Sequence, residues 1–309
     1  MKAIMYHYVQ EVDSKYPFFK FLDFKNFCKQ LDFFEEKYDF VQKDDWDKFI
    51  EFGIIENSKN KILLTFDDAL KCHYDYVFPE LKKRNLFGIF YIPTFPYMEN
   101  DLLDVHKIHL LCGAFTGNEI YELLSDLISE EMVQDKKRQE FSEYTYNTQN
   151  NYKNIREIKR ILNYYIDYEM RGEIIDNLAK KLNYKFFSSS FYLSKRDIRE
   201  MKQEGNIIGS HGVNHLVMSK LSFEEQLAQI RNSFSLLDSI TSNLVKTYCH
   251  PYGGFHSFNK DTIKILNAEN VKYSFNVQSR DIKEKDYLDS VQFLPRYDCN
   301  EFPYGQCSQ

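Results

Sequence analysis

Two adjacent acids close an apolar run, Lys61-Ile62-Leu63-Leu64-Thr65-Phe66-Asp67-Asp68, and a His-x-x-x-His pair stands far downstream at His211 and His215. One carboxylate and two imidazoles make a facial set of three ligands for a divalent metal, with positions left for water and substrate. The second carboxylate is then free to act as a base on that water. Each half of this constellation also has a plainer explanation. Adjacent acids after a strand often open a helix, where they favour its dipole. A lone H-x-x-x-H brings two rings to one face only on a helix, and Gly209 and Gly212 predict a turn leading into one. The conjunction of the two motifs carries the metal reading, more than either motif alone.

Two further segments end predicted strands. Tyr248-Cys249-His250-Pro251-Tyr252-Gly253-Gly254 is either an ordinary Pro-Gly turn or a loop whose glycines let a backbone N–H approach an oxyanion. In Leu294-Pro295-Arg296-Tyr297-Asp298, Arg296 either pairs with a surface acid or reaches inward to Asp67 and keeps that base ionised.

The elements that must position these residues alternate. Lys2–Tyr8 reads as a strand, and Phe24, Phe27, Leu31 and Phe34 give Phe24–Lys37 a helical spacing. Phe40–Val41 reads as a short strand, and Trp46–Phe52 as a helix closed by Gly53. Ile62, Leu63, Leu64 and Phe66 form a buried strand that puts the acid pair at its carboxyl end, where (β/α) proteins place their chemistry. Tyr74–Arg84 is helical, with Pro79 set to kink or shorten it, and Leu86–Ile92 is a strand. From 93 to 190 no strand is predicted. Helical repeats fall at Glu119–Ile128, Ile155–Ile166 and Ile174–Leu182, with polar connectors around Gln139–Asn154. The alternation resumes with a helix capped by Ser194 and Asp197 and stopped at Gly205, a strand Asn206–Ser210 delivering His211, and a helix opened by the capping box Ser222-Phe223-Glu224-Glu225. Strand Lys246–Cys249, helix Lys260–Asn270, strand Val271–Val277 and a last strand Val291–Leu294 complete the chain. This order predicts one α/β barrel spanning residues 1–309, with a mainly helical insertion at 93–190. Such an insertion shapes the mouth of a site, decorates the fold, or makes an oligomer contact.

Composition bounds the rest. The 309 residues are 43% hydrophobic and 17% aromatic, enough for a large core, and the net charge of -6 argues against a nucleic-acid binder. The tyrosines and phenylalanines fill a core, with a few available to stack on sugar rings. The six cysteines show no CxxC spacing and read as scattered thiols of a reducing compartment. Met1–His7 runs into a strand with no long apolar export segment, and no apolar run approaches a membrane span, which predicts a soluble, cytoplasmic protein.

Taken in order, TFDDAL, SHGVNH, CHPYGG and LPRYD resemble the motifs of the NodB-homology polysaccharide deacetylases. The resemblance covers Ile62–Ile92 and Leu193–Arg296 and matches the insertion poorly. It implies a distorted (β/α)7 barrel and a metal-dependent hydrolase, commonly zinc-bound, that removes N-acetyl groups, or less often O-acetyl groups, from an acetylated amino-sugar substrate. It assigns Asp67 as general base, Asp68, His211 and His215 as metal ligands, Tyr252 as a backbone oxyanion donor and Pro251 as the residue shaping that loop. The chain departs from the family in three places. Ala69 replaces the usual glycine, the arginine ahead of Pro-Tyr is missing, and no late Leu-His supplies the acid. In a subgroup that begins with a Tyr-His strand a late Leu-Pro-Arg supplies the arginine, which points to Arg296. His7 becomes the candidate acid, with a structural histidine as the alternative, and His106 a candidate on a substrate loop. The departures also admit a carbohydrate-binding barrel that has lost catalysis.

Overall fold

Seven strands form one sheet: β1 (Lys2–Tyr6), β2 (Ile62–Asp67), β3 (Ile89–Ile92), β4 (Ile207–Ser210), β5 (Thr247–Cys249), β6 (Tyr273–Phe275) and β7 (Tyr297–Asp298). In this computed structural model, which describes residues 1–133, 135–143, 145–146, 153–242 and 245–307, their order is β6-β5-β4-β3-β2-β1-β7. Every pairing is parallel. Leu294 bridges to Phe275, while Tyr297 and Asp298 pair with Ile4 and Met5. The segment 294–298 therefore bonds to both ends of the sheet and curls it into the distorted (β/α)7-type barrel expected from the sequence.

Parallel strands buried on both faces need continuous apolar runs, and all six residues of β2 are buried. On the inward face Ala3, Leu63, Ile89, Tyr91, Cys249, Tyr273 and Phe275 pack with Trp46 and Phe49 of the helix Lys43–Phe52. Trp46 Nε1–H donates to the Tyr273 hydroxyl at the start of β6 (3.1 Å). Strand alternation carries that inward face upward along β2 from Leu63 through Thr65 to Asp67, so the packed core floors the site.

The chain divides into two compact units. One comprises Met1–Glu11, Phe21–Asn100 and Ser189–Ser308; the other comprises Val12–Lys20 and Asp101–Ser188. The second is helical, built from Asp104–Ala114, Gly117–Leu127, Asp135–Ser142, Lys153–Arg160 and Tyr168–Lys181. Ile120, Leu124, Ile158, Leu162, Ile174, Ile175 and Leu178 are its buried stripes. The polar connector expected at Gln139–Asn154 is helical as far as Ser142, and residues 144 and 147–152 lie outside the described residues. Residues 93–100, expected in the insertion, belong to the barrel unit, with a short helix Phe95–Glu99.

Several elements differ from their predicted form for local reasons. The predicted helix Tyr74–Arg84 is a π turn, His73–Val77, followed by the α-helix Phe78–Lys83. Pro79 occupies the first turn of that second helix, where its missing N–H costs nothing. The predicted strand Val291–Leu294 is a 3-10 turn, Val291–Phe293; the strand proper comes later, at Tyr297–Asp298. Phe40 makes an isolated bridge with Ile62.

Candidate metal and catalytic site

The carboxyl ends of β2, β4 and β5 converge on one cluster. Past β2 the chain turns through left-handed backbone at Asp68 (φ 82°) and Ala69 (φ 55°), so the two acids leave the strand in different directions. Asp68 Oδ1 lies 3.6 Å from His211 Nε2 and 3.5 Å from His215 Nε2. All three side chains are buried.

The two histidines do not sit on a helix, contrary to the expectation from their spacing. Residues 211–217 are irregular, and positive φ at Gly212 (75°) and His215 (51°) folds the rings to 4.6 Å apart. The loop is held from outside. Gln229, on the helix Phe223–Thr241, accepts from the N–H groups of Val213 (3.1 Å) and Asn214 (2.8 Å) and donates to Asn214 Oδ1 (2.8 Å). Ser210 Oγ accepts from the Gly212 N–H (3.1 Å).

His211 Nδ1 donates to the carbonyl of Cys249 (2.8 Å). A carbonyl only accepts, so the proton sits on Nδ1 and the lone pair of Nε2 faces Asp68. Burial lowers the His211 pKa, which keeps the ring neutral. A neutral imidazole whose other nitrogen is fixed by a carbonyl is the form a metal takes. Ligands at 2.0–2.1 Å around a tetrahedral ion stand about 3.3 Å apart, close to the separations from Asp68 to the two rings. The residues fit a divalent cation.

Asp67 faces the other way. Arg296 Nη1 and Nη2 donate to its two oxygens at 2.9 and 2.8 Å. Nη1 also reaches Thr65 Oγ1 (3.0 Å), Nε the carbonyl of Asn276 (3.3 Å) and Nη2 Cys249 Sγ (2.9 Å). Burial works against the charge on Asp67, yet the guanidinium brings its pKa down to about 2. The set Asp67, His211 and Cys249 also has ligand spacing, but Arg296 already places a cation against two of its members. A metal there meets a like charge, so the Asp68 set is the better cradle.

Pro251 and Tyr252 stand in the turn after β5. His250 N–H donates to Phe275 (3.0 Å) and Gly253 N–H to the His250 carbonyl (3.0 Å). Tyr252 has φ 64°, and its ring lies 4.9 Å from that of His215, which puts this turn beside the metal cradle. Gly253 has φ 69°, and an added Cβ would fall 2.3 Å from Val277 Cγ2, so only glycine fits. His7 follows β1, with its side chain 38% exposed and Nε2 3.9 Å from Asp68 Oδ2. His106 is a correction. It lies on the helix Asp104–Ala114 of the other unit, fully buried, and not on a loop. A buried ring on a helix is not the substrate-loop residue expected from the sequence.

Cys249, Gln229 and Thr65 were missed as site residues. Cys249 had a signal, since it ends a strand in a quoted motif. Nothing in the sequence marks Gln229, which acts across a turn and a helix.

In part of its sequence and in its fold the chain is similar to polysaccharide deacetylases. Residues 167–285 match the family described as polysaccharide deacetylase. The peptidoglycan-N-acetylmuramic acid deacetylase PdaC of Bacillus subtilis is 28% identical over 100 residues, 30% of this chain and 21% of that protein. The chain thus spans about a fifth of the curated relative it matches. The deacetylase PplD of Streptococcus pyogenes, solved in complex with acetate, has a similar fold, with TM-score 0.58, 16% identity, and coverage of 96% of this chain and 91% of that one. A polysaccharide deacetylase from Bacillus cereus aligns at TM-score 0.53 and 14% identity, covering 96% of this chain and 64% of its own. The resemblance read from the motifs is borne out, and the hydrolase class it implied is the class of these relatives.

Proposed function

We propose that this chain is a metal-dependent hydrolase that removes an N-acetyl group from an amino-sugar glycan or glycan precursor. The convergence of Asp68, His211 and His215 beside an ionised Asp67 carries this reading. A divalent cation held by those three residues would supply a Lewis acid for the acetyl carbonyl and lower the pKa of the attacking water. Two histidines and a carboxylate suit zinc, which we propose as the metal.

The protein's own groups supply the rest. Asp67 takes the proton of the attacking water. Its pairing with Arg296 keeps it a carboxylate, the state a proton acceptor needs, and lowers its proton affinity, so it serves only a water that is already acidified. The Tyr252 N–H stabilises the oxyanion, and Pro251 sets the loop that presents it; one such donor is worth about 10²–10³ in rate. His7 protonates the departing sugar amine, because an amide anion is a very poor leaving group. The products are acetate and a free amino sugar.

A cytoplasmic setting and an acetylated amino-sugar precursor as substrate belong to the same proposal. Cys28, Cys72, Cys112, Cys249 and Cys299 are free thiols, the usage of a reducing compartment. No described helix is long and apolar enough to cross a membrane. A binding barrel without catalysis has no need of a buried base gripped by an arginine next to a ligand set. The test is metal content together with acetate release on a panel of N-acetylated sugars and O-acetyl esters, with Asp67→Asn as control. Acetate release that survives Asp67→Asn, or none from any substrate with zinc bound, defeats the proposal.

A further inference from the structure

We infer that His73 is a positioning residue for the acid: its ring clamps the backbone of His7 and so aims the His7 imidazole at the site. The inference rests on the reading of His7 as the acid given above.

Ladder pairing between β1 and β2 ends at Tyr6 and Phe66, so the carbonyl of His7 lies beyond the paired register. His73 Nε2 meets it at 2.7 Å. The carbonyl can only accept, so Nε2 carries the proton. His73 is fully buried, and its Nδ1 has no hydrogen-bond partner among the described residues. The ring stands in an aromatic slot, 5.6 Å from Phe66 and 5.9 Å from Phe90. A phenylalanine would fill that slot without burying an unpartnered nitrogen, which is costly. The one polar return for a histidine here is the bond to His7. Burial also holds its pKa down, to about 4, so the clamp is neutral at physiological pH.

The local backbone serves the same end. His73 opens the π turn His73–Val77, a rare geometry that recurs at functional sites. Asp67, Asp68 and His73 thus come from one short segment. It supplies the base, a metal ligand and the hold on the acid.

The test compares His73→Phe, which keeps the bulk and loses the donor, with His73→Gln, whose amide nitrogen reaches the depth of Nε2. His73→Asn, whose amide ends at the depth of Nδ1, is a polar variant that cannot reach. The substrates are an N-acetylated amino sugar, which needs an acid, and 4-nitrophenyl acetate, whose leaving group does not. His73→Phe and His73→Asn should lower kcat on the amide about 10²-fold, with KM, metal content and thermal midpoint close to wild type. The ester should be spared, and His73→Gln should recover most of the loss. In a His7→Ala background His73→Phe should cost nothing more. Equal loss on amide and ester, an additive loss in that background, or no loss at all overturns the inference. Crystal structures of the variants read the clamp without substrate. The His7 ring should lose its place beside Asp68 in His73→Phe and keep it in His73→Gln, and an unmoved ring overturns the inference by itself. A wild-type protein that deacetylates nothing would instead end the hydrolase reading and leave this crystallographic readout intact.

Discussion

Arg296 grips Asp67 with two parallel hydrogen bonds of 2.9 and 2.8 Å, both side chains being almost wholly buried. The residues stand 229 positions apart. A bidentate guanidinium fixes the carboxylate in direction as well as charge, which lysine cannot do. Arg296→Lys should therefore keep bound metal and lose turnover by about 10²-fold. Steady-state kinetics with metal analysis checks this, and full activity in the lysine variant would refute the orienting role.

Asp67→Asn keeps the shape of the base and removes its proton affinity. Turnover should fall by about 10²–10⁴, while zinc content stays at the wild-type level. Loss of metal along with rate would instead make Asp67 a ligand.

The pair also sets acid stability. The folded value of Asp67, about 2, lies below the ordinary 3.8. It therefore adds stability that is complete above about pH 4 and fades as the pH falls through 3.8 toward 2. Asp67→Asn leaves Arg296 buried without its charge partner and should cost about 3–5 kcal/mol at neutral pH. That gap should narrow by about pH 2.5, where the carboxyl of the unfolded chain is protonated and the folded, still mostly ionised Asp67 has lost most of its stabilising advantage. Denaturant unfolding at both pH values measures it, and a gap independent of pH would contradict the assignment.

His211→Ala and His215→Ala should each lose metal and turnover together. Chelation of the wild-type protein should do the same and be reversed by added zinc. An active His211→Ala protein with unchanged bound metal would reject the ligand set.

Gln229 touches neither metal nor substrate in this reading, yet it holds the loop between the two histidines by three hydrogen bonds. Gln229→Leu should weaken zinc binding about 10–100-fold. Metal titration against a competing chelator reads the change, and an unchanged affinity would mean that the loop holds its own shape.

Much of this was legible along the chain. The helix Phe24–Lys37 begins and ends where its apolar spacing does. Ser194 with Asp197 and Ser222 with Glu225 form the capping boxes their spacing announces. These are local signals, and local sequence carries them because helix caps and strand runs are decided within a few residues. Asp67, Asp68, His211 and His215 were legible as chemistry because each closes or follows a strand of a barrel, and barrel strands deliver their ends to one face.

The sequence alone determined the alternation of strands and helices, the acid pair at a strand end and the order of the motifs, since these depend on residue type and spacing. Tertiary structure alone decided that the histidine pair meets through left-handed turns and not on a helix, that Arg296 turns inward, that His106 is enclosed, and that Gln229 and His73 hold other residues in place. Those outcomes depend on which distant groups share one buried volume. Spacing along a polypeptide carries no record of that, because a buried polar atom takes whichever partner the closed barrel brings within reach.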